Sequence, residues 1–537
     1  MIKKLAHPLV FILIATVAVF SRAFYSGYVE WDDNVFIARN IQLTFPFFEA
    51  VQAAFSKFYY GDYLPLTLMS YWFEVAIFGQ DPVAQHVTNL VLHCIDVCLL
   101  YVWLSKVMTD RRLALFATAI FAIHPMQSEV VMWISERKSL LCIMFTLLAM
   151  LTVEKSWADD KLKWRILYPV LFLCALLSKA TTIFLPVLLV VLDLFVLKRP
   201  WKKSAVLHAP IFLISFVIGV TRIIAYRAST GEFQARAIEG GALTEMPLRF
   251  FDTLGFYVKK FFWAAPQSII YPDFSIGTID YWNYVAIALV IAFVAYYGWM
   301  KRDRRVVFFA LAYFFFLLPV LQIVPRINYV NDRMSYLPLV AISGLLYVFA
   351  EKVMQEKALK YLWIAALVIL VVPSYSRTEV WETNLNLWED TVQKSPWSAI
   401  AHHNYGLELS ERNRFDEAIR QYQIAAYNEG RGVSDVTAMA YNNMAVLHSR
   451  PDLGKLYDLK QAEASLRQAL KFTRSPLDRL TMKYNLGGLL AGQGYTTEAT
   501  QILTELLSDL RAMPDLSSHQ LIPLVERKLE QLKAQRR

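Results

Sequence analysis

Long apolar segments alternate with short polar connections over the first 376 residues of the chain. A helix needs about 20 mostly apolar residues to cross ~30 Å of hydrocarbon, and on that basis the pattern predicts about eleven membrane spans, some of them short. The predicted spans lie near residues 7–24, 84–106, 113–125, 138–153, 165–178, 181–197, 205–223, 282–300, 306–325, 334–350 and 360–375. We therefore expect an all-α, multi-pass membrane region.

Basic residues predict the orientation of these spans. Clusters of Lys and Arg occur at every second connection, and cytoplasmic loops of membrane proteins are enriched in these residues. The clusters are Lys3-Lys4, Lys106 to Arg112, Lys155 to Arg165, Lys198 to Lys203, Lys301 to Arg305 and Lys352 to Lys360. The first segment resembles a signal peptide without a small-residue cleavage site, so we interpret it as a retained helix with a cytoplasmic N-terminus. An odd number of spans then places the chain after residue 376 on the outer side.

Composition supports a membrane protein and argues against a nucleic-acid partner. The chain is 56% hydrophobic and 14% aromatic, above the usual ~45–50% apolar content of soluble domains. Its net charge of +9 comes from the short clusters between apolar segments, and the positive-inside rule explains it. All four cysteines lie in apolar segments, where Cys behaves as a small hydrophobic residue.

The chain after residue 376 is polar and contains a repeat. Similar helical segments recur at 404–426, 443–470 and 485–506. We divide the sequence into a membrane domain at 1–376, a linker or first helix at 377–395 and a repeat domain at 396–537.

Small residues within the copies indicate closely packed helix pairs. Gly406 and Gly487 are each followed twelve residues later by an alanine, Ala418 and Ala499. The second copy has Ala445 at the first position and is lengthened by an insertion. This spacing is typical of tetratricopeptide repeats, which form an α-solenoid.

Four polar stretches lie on the predicted outer side, at 31–33, 124–139, 178–182 and 326–338. Ionisable residues at membrane depth are rare and are usually paired or functional. A carboxylate can act as a general base on a hydroxyl, while Lys and Arg can neutralise a phosphate leaving group. Acids and bases brought together here would suit sugar transfer from a lipid phosphate.

Each stretch also has a simpler explanation. Asp32 and Asp33 could be a solvated loop, or could cap a helix that starts at the next residue. The remaining alternatives are that His124-Pro125 only ends a helix, that Glu129 and Arg137 form a surface ion pair, and that Lys179 reaches to the headgroups.

The order of these stretches resembles that of the transmembrane and tetratricopeptide O-mannosyltransferases and their bacterial relatives, which are membrane glycosyltransferases of the GT-C type. The resemblance rests on WDD, HPMQSEVVMWISERKSLL, SKATTIFLPVLLVVLDL, NDRMSYLPLV and VWETNLNLWEDTVQKSPWSAIAHHNYG, in that order. The chain departs from the family at Glu136-Arg137-Lys138-Ser139 and Asn331-Asp332-Arg333-Met334, which leaves the sugar and the acceptor open.

The resemblance implies a catalytic aspartate in the first outer loop and a polyprenyl-phosphate sugar donor. Carried over by position, Asp32 is the expected general base and Asp33 a supporting acid. Lys179, Arg333 and Arg137 are expected to bind the donor phosphate, and His124, Glu129 and Asp332 are further candidates. No metal or other cofactor is expected, since Lys and Arg can balance the charge of the phosphate.

The resemblance thus implies an inverting glycosyltransferase. Its compact loops and short repeat domain favour a bacterial inner membrane, with the repeats in the periplasm, over an endoplasmic reticulum membrane. The acceptor is expected to be a Ser or Thr hydroxyl of a protein held by the repeats. Two alternatives remain, namely transfer to a lipid or glycan acceptor, and a non-enzymatic membrane scaffold with protein-binding repeats.

Overall fold

The computed structural model describes residues 2–59, 62–108, 110–230, 242–272, 280–321, 330–428, 434–512 and 518–535. Within these ranges the chain forms helices and short helical turns and no β-strand. It divides into two compact units, Met1–Leu387 and Trp388–Arg537. The all-α prediction is therefore confirmed.

The helices of the apolar part vary widely in length. Up to residue 394 they are α1 (Ile2–Val19), α2 (Phe47–Ser56), α3 (Pro65–Phe78), α4 (Pro82–Val107), α5 (Arg111–Ile123), α6 (Ser128–Met132), α7 (Arg137–Ala158), α8 (Leu162–Ser178), α9 (Leu185–Val191), α10 (Trp201–Thr230), α11 (Ala242–Phe262), α12 (Tyr281–Phe293), α13 (Arg304–Leu317), α14 (Pro338–Val353), α15 (Glu356–Thr378) and α16 (Asn384–Lys394).

Five helical segments within the described ranges are long and apolar enough to cross a membrane. They are Pro82–Val107, Ile134–Ala158, Trp201–Ala225, Tyr281–Met300 and Trp363–Trp381. A sixth span would be the bent pair Arg111–Ile123 and Pro125–Met132, whose axes differ by 55°. Other predicted spans lie on shorter helices, such as α8 with 17 residues and α13 with 14. The multi-pass membrane character of this unit is confirmed.

An apolar cluster fixes the loop between α1 and α2 against the membrane helices. Its buried members come from this loop, from α2 and α3, and from the turn before α7: Phe36, Ile37, Leu43, Ala54, Leu64, Leu68, Met69, Tyr71 and Ile134. Burying a large apolar side chain stabilises a fold by roughly 1.5–3 kcal/mol. The loop that carries Asp32 and Asp33 is therefore held in place by its own apolar residues.

The second unit consists of antiparallel helix pairs. Its helices are α17 (Ala399–Glu411), α18 (Phe415–Tyr427), α19 (Ser434–His448), α20 (Leu459–Phe472), α21 (Pro476–Gly492), α22 (Thr496–Ala512) and α23 (Ser518–Gln535). Each odd-numbered helix from α17 to α21 packs against the helix that follows it. A Cβ on Gly406 would lie 2.5 Å from the Tyr422 ring, and one on Gly487 would lie 2.7 Å from Leu503. Both glycines thus permit close helix packing, and the unit is a helical repeat region.

Candidate functional site

Asp33 is fully buried and holds the first loop in place. Its carboxylate accepts hydrogen bonds from the backbone N–H groups of Val29, at 3.2 Å, and Ser135, at 3.0 Å. The Ser135 hydroxyl donates a further one. Burial raises the pKa of Asp33 to about 6, although these hydrogen bonds oppose the shift. The side chain does not cap the helical turn that follows it, Asn34–Ala38, so the capping alternative does not apply.

Asp32 has a different environment from its neighbour. Its side chain is 36% exposed, and its Oδ2 lies 3.4 Å from the Nζ of Lys138. The Asp32 side chain is therefore accessible to solvent while a cation lies beside one of its oxygens.

Glu136 is the centre of the buried charges. Its Oε2 accepts a hydrogen bond from Lys179 Nζ at 2.7 Å and another from the Ser139 hydroxyl. Its Oε1 lies 3.6 Å from Lys138 Nζ and 3.5 Å from Arg333 Nε. One carboxylate thus contacts three cations that come from separate parts of the sequence.

Arg333 connects Glu136 to a second buried acid. Its Nη1 lies 2.5 Å from Oε1 of Glu129, and its backbone N–H donates to Oε2 at 2.8 Å. These two carboxylates raise the pKa of Arg333 against the effect of burial. Glu129 therefore pairs with Arg333 and not with Arg137.

We call the connected set the charge cluster. Its members are Asp32, Glu129, Glu136, Lys138, Lys179 and Arg333. Three acids face three bases, so the formal charges balance. The cluster draws on all four polar stretches that the sequence places on the outer side.

Helix ends favour the positions of two cluster members. Glu136 directly precedes α7, and Lys179 directly follows α8. A helix dipole favours an anion at the N-terminus and a cation at the C-terminus. The fold therefore stabilises both partners of this buried ion pair before they interact with each other.

A proline separates α5 from α6, the short helix that carries Glu129. His124 is extended, with ψ of 139°, because the following Pro125 disfavours helical geometry. Its Nδ1 accepts a hydrogen bond from the N–H of Met126 at 3.2 Å, and its Nε2 lies 3.0 Å from the carbonyl of Phe261. His124 thus shapes the break between α5 and α6, and its ring nitrogens are occupied away from the charge cluster.

Arg137 faces away from the charge cluster. Its Nη1 lies 2.5 Å from Glu74, its Nε donates to Asn89 at 3.0 Å, and its Nη2 donates to the carbonyl of Gln85 at 3.0 Å. The side chain is 1% exposed. The structure thus places this phosphate-binding candidate among α3, α4 and α7 as a buried structural link.

Asp332 also lies outside the charge cluster. It accepts hydrogen bonds from the Tyr271 hydroxyl at 2.7 Å and from the Gln267 amide at 3.2 Å. Burial raises its pKa. These contacts fix the segment that follows α11.

A cavity adjoins the charge cluster. Its empty space of about 410 Å³ includes the open solvent at its mouth, and its polar wall includes Arg333, Ser139, Thr181 and Thr182. Its apolar wall includes Ile143, Phe316, Pro319, Val320, Leu337 and Pro338. In the part of the chain that the structure describes, Asp32 and Lys179 do not line this cavity. Ion pairs through Glu136 connect both of them to Arg333, which does line it. Such a space offers a cation and hydroxyls on one side and hydrocarbon on the other.

Two cluster members, Glu136 and Lys138, are missing from the sequence-based candidates. Their signal was present in the sequence, because three consecutive charged residues, Glu136 to Lys138, stand between apolar segments. The sequence could not show which of these residues joins the charge cluster, since adjacent residues on a helix point in directions about 100° apart. Lys138 enters the cluster while Arg137 turns to the opposite side.

Comparison with known proteins finds sequence similarity to one group of enzymes. Residues 65–224 match the family described as dolichyl-phosphate-mannose-protein mannosyltransferase. The chain is 24% identical over 441 residues to human protein O-mannosyl-transferase TMTC1, covering 72% of this chain and 49% of that protein. By sequence, this chain is similar to the protein O-mannosyl-transferases.

Two further relatives show the same extent of similarity. A protein O-mannosyl-transferase of Caenorhabditis elegans is 22% identical over 376 residues, covering 67% of this chain and 53% of the relative. Human protein O-mannosyl-transferase TMTC4 is 24% identical over 484 residues, covering 76% of this chain and 65% of the relative. The chain spans about half the length of the Caenorhabditis elegans protein and of human TMTC1. The predicted family resemblance is confirmed, and the bacterial origin stays a prediction.

Proposed function

We propose that this chain is an inverting membrane glycosyltransferase. It transfers a sugar from a polyprenyl-phosphate donor to a hydroxyl of an acceptor protein, a Ser or Thr side chain, on the outer side of the bacterial inner membrane. Asp32 is the general base. The match to a mannosyltransferase family and the similarity to protein O-mannosyl-transferases support the reaction class.

The observation that carries the proposal is the environment of Asp32. Among the acids of the charge cluster, Asp32 is 36% exposed, whereas Glu136 is fully buried and Glu129 is 4% exposed. A general base must come within hydrogen-bond distance of the hydroxyl whose proton it removes. Among these acids, the exposed Asp32 is the one that an acceptor hydroxyl could approach to this distance, and the buried acids hold the cations.

The proposed reaction follows from these positions. Asp32 takes the proton of the acceptor hydroxyl as the hydroxyl oxygen attacks the anomeric carbon of the sugar. The bond from that carbon to the phosphate oxygen breaks on the opposite face, and its electron pair leaves with the phosphate. Lys179 and Arg333 neutralise the charge that develops there.

The amphipathic lining of the cavity suits such a donor in its chemistry. Arg333 and three hydroxyl groups can bind a phosphate, and the apolar wall can hold the first part of a hydrocarbon chain. Glu129 and Glu136 hold the Arg333 side chain in position. Little reorganisation of this side chain is therefore needed when it binds the phosphate. Arg137 has no part in this proposal, since its guanidinium is occupied elsewhere.

Two other functions remain as competitors. A lipid or glycan acceptor would use the same base and the same donor, with the repeats recruiting partners. A non-enzymatic scaffold has no use for a charge cluster that links Asp32 and Lys179 through Lys138 and Glu136. Burying charged groups costs free energy, so the presence of this cluster favours an enzyme over a scaffold.

Mass spectrometry of exported proteins tests the proposal directly. Cells with the chain, without it and with Asp32→Asn should be compared. We expect a defined mass increment on Ser or Thr residues only in the cells that carry the unchanged chain. An increment found instead on a lipid or glycan would support the first competitor, and identical profiles in all three cells would contradict glycosyl transfer.

A further inference from the structure

A buried acid lies near the middle of the membrane-spanning helix α4. Asp96 and His93 are three residues apart, so both side chains lie on the same face of this helix. Neither is exposed to solvent, and in the described part of the chain no lysine or arginine pairs with Asp96. A carboxylate without a cation is costly at this depth, so the contacts of Asp96 decide whether it can be ionised.

Tyr336 joins these two side chains. Its hydroxyl oxygen lies 2.7 Å from Nδ1 of His93 and 3.0 Å from Oδ2 of Asp96. On the other side of the imidazole ring, Nε2 lies 3.0 Å from the carbonyl oxygen of Ala122. We call Asp96, Tyr336 and His93 the buried triad. It connects α4 with the segment that precedes α14.

The number of protons in the buried triad follows from these contacts. A carbonyl oxygen only accepts hydrogen bonds, so Nε2 of His93 carries a proton, and in the neutral ring Nδ1 is then an acceptor. The Tyr336 hydroxyl has one proton and donates it to Nδ1. An ionised Asp96 has no proton to donate, which would leave two acceptor oxygens 3.0 Å apart with no hydrogen between them. Asp96 therefore supplies the missing proton from its Oδ2.

The same proton could instead reside on His93. The ring would then be a cation that donates to Tyr336, and Asp96 would be an anion that accepts from Tyr336. Separated charges are costly in an apolar interior, and the rings of Phe20 and Phe121 pack on His93. Oδ1 of Asp96 also has no hydrogen-bond partner within the described ranges, and an oxygen without a partner costs less on a neutral acid than on an anion. Both observations favour the neutral arrangement.

The buried triad also fixes the turn that carries Arg333. Tyr336 directly follows this turn, Asp332–Ser335, and the triad holds its side chain on α4. At the residue before the turn, the carbonyl of Asn331 accepts a hydrogen bond from the Tyr257 hydroxyl at 2.9 Å. Both ends of the turn are therefore attached to other helices, α4 and α11.

We infer that Asp96 is a protonated, neutral carboxylic acid, and that Asp96 and His93 are positioning residues for Arg333. The proton of Asp96 completes the hydrogen bonds of Tyr336, and Tyr336 holds the turn from which Arg333 meets the donor phosphate. Resting on the proposed function, the inference adds to the donor site two residues that contact neither the donor nor the acceptor.

Infrared spectroscopy of the full-length chain in nanodiscs tests the protonation without any sugar donor. At about pH 8 ordinary carboxyl groups are ionised, so the C=O stretch of a protonated acid should stand out when the spectrum of Asp96→Asn is subtracted from that of the unchanged protein. The control is Asp159→Asn, which removes a 45% exposed acid paired with Lys161 and should give no such band. Absence of the band for Asp96→Asn would overturn the inference.

Calorimetric binding of a short-chain polyprenyl-phosphate mannose tests the positioning role. Tyr336→Phe removes the hydroxyl that links the buried triad, and we expect it to raise the dissociation constant about three- to tenfold, the effect of one lost hydrogen bond. Tyr347→Phe is the matched control, because the Tyr347 hydroxyl also donates to a carboxylate, that of Asp110 at 2.6 Å, but lies farther along α14. Equal dissociation constants for the two variants would overturn the positioning role.

Two variants of Asp96 cover the case in which Tyr336→Phe fails to fold. The amide of Asp96→Asn can donate to the Tyr336 hydroxyl oxygen in place of the acid, so this variant should bind the donor like the unchanged protein. Asp96→Leu is similar in size but has no donor, and it should bind more weakly. Equal binding by the two would contradict the positioning role. The infrared band and normal donor binding without any sugar transfer would contradict only the proposed function.

Discussion

Asp32 and Asp33 are adjacent in the chain, but their carboxylates have opposite roles in the structure. Asp33 is buried and accepts hydrogen bonds from Ser135, 102 residues away. Asp32 is 36% exposed beside Lys138. The buried acid fixes the loop, and the exposed acid is left available for a substrate.

The first prediction concerns the proposed base. Asp32→Asn keeps the size and polarity of the side chain but removes the basic oxygen. Loss of a positioned general base typically costs ~10²- to 10⁴-fold in rate, so turnover should fall by that amount while donor binding stays nearly normal. Single-turnover sugar transfer by purified protein measures the effect.

The matched control is Glu30→Gln in the same loop. Glu30 forms only a weak pair with the exposed Arg39, at 3.7 Å, so its neutralisation should leave turnover unchanged. Near-normal transfer by Asp32→Asn would remove Asp32 from the mechanism.

The second prediction concerns the donor phosphate. Lys179→Ala should raise the donor concentration needed for half-maximal rate and also lower the rate, because the leaving phosphate is charged before and after transfer. Donor titration of the purified variant measures both. Lys161→Ala, which removes a 64% exposed lysine paired with Asp159, is the control. An unchanged donor requirement in Lys179→Ala would show that Lys179 only balances Glu136.

The third prediction concerns pH. Asp33 has a pKa of about 6 in the folded protein and 3.8 as its ordinary value. The folded state therefore binds the proton more tightly, and its stability contribution is full below pH 4 and is lost as the pH rises to about 6. The loss is on the order of 2–3 kcal/mol at neutral pH.

Thermal unfolding of Asp33→Asn from pH 4 to pH 7 tests this sign. The variant should be less stable than the unchanged protein at pH 4, since Asn cannot accept all three hydrogen bonds. The difference should shift in favour of the variant as the pH rises. A constant difference across this range would mean that Asp33 is ionised throughout.

The fourth prediction concerns helix packing in the repeat region. Gly406→Ala should destabilise this unit by ~1–3 kcal/mol, because the new methyl group would lie 2.5 Å from the buried Tyr422 ring. Gly492→Ala has no atom within 4 Å of the new methyl group and should be neutral or slightly stabilising. Chemical denaturation followed by circular dichroism compares the two, and equal stabilities would contradict the packing.

The fifth prediction concerns orientation. The basic clusters and the predicted number of spans place the repeats outside the cytoplasm. A reporter that is active only in the cytoplasm, fused after Arg537, should be silent, whereas the same reporter after Lys203 should be active. Activity at Arg537 would mean that the predicted spans are miscounted.

Much of the architecture follows from local sequence patterns. The apolar segments predict the membrane unit, since helices are the way to satisfy backbone hydrogen bonds in hydrocarbon. Gly406 and Gly487 predict the close helix pairs, because a missing side chain lets two backbones approach. The polar stretches also predict that charges meet on one side of the unit.

The number of full-length spans was harder to predict from the sequence. Pro125 bends the chain by 55° within an apolar segment, and other apolar segments form helices shorter than a bilayer requires. Hydropathy registers the apolar content of a segment, whereas the break depends on local backbone geometry.

The sequence by itself determined that acids and bases lie at the ends of membrane helices, and the tertiary structure decided which of them meet. Arg137 and Lys138 are neighbours, yet one contacts Glu74 and the other lies near Asp32 and Glu136. Consecutive residues of a helix point about 100° apart, so their partners depend on which helices pack on each side. Glu136 became the centre of the cluster because α8 and the turn that contains Arg333 bring two cations to its carboxylate.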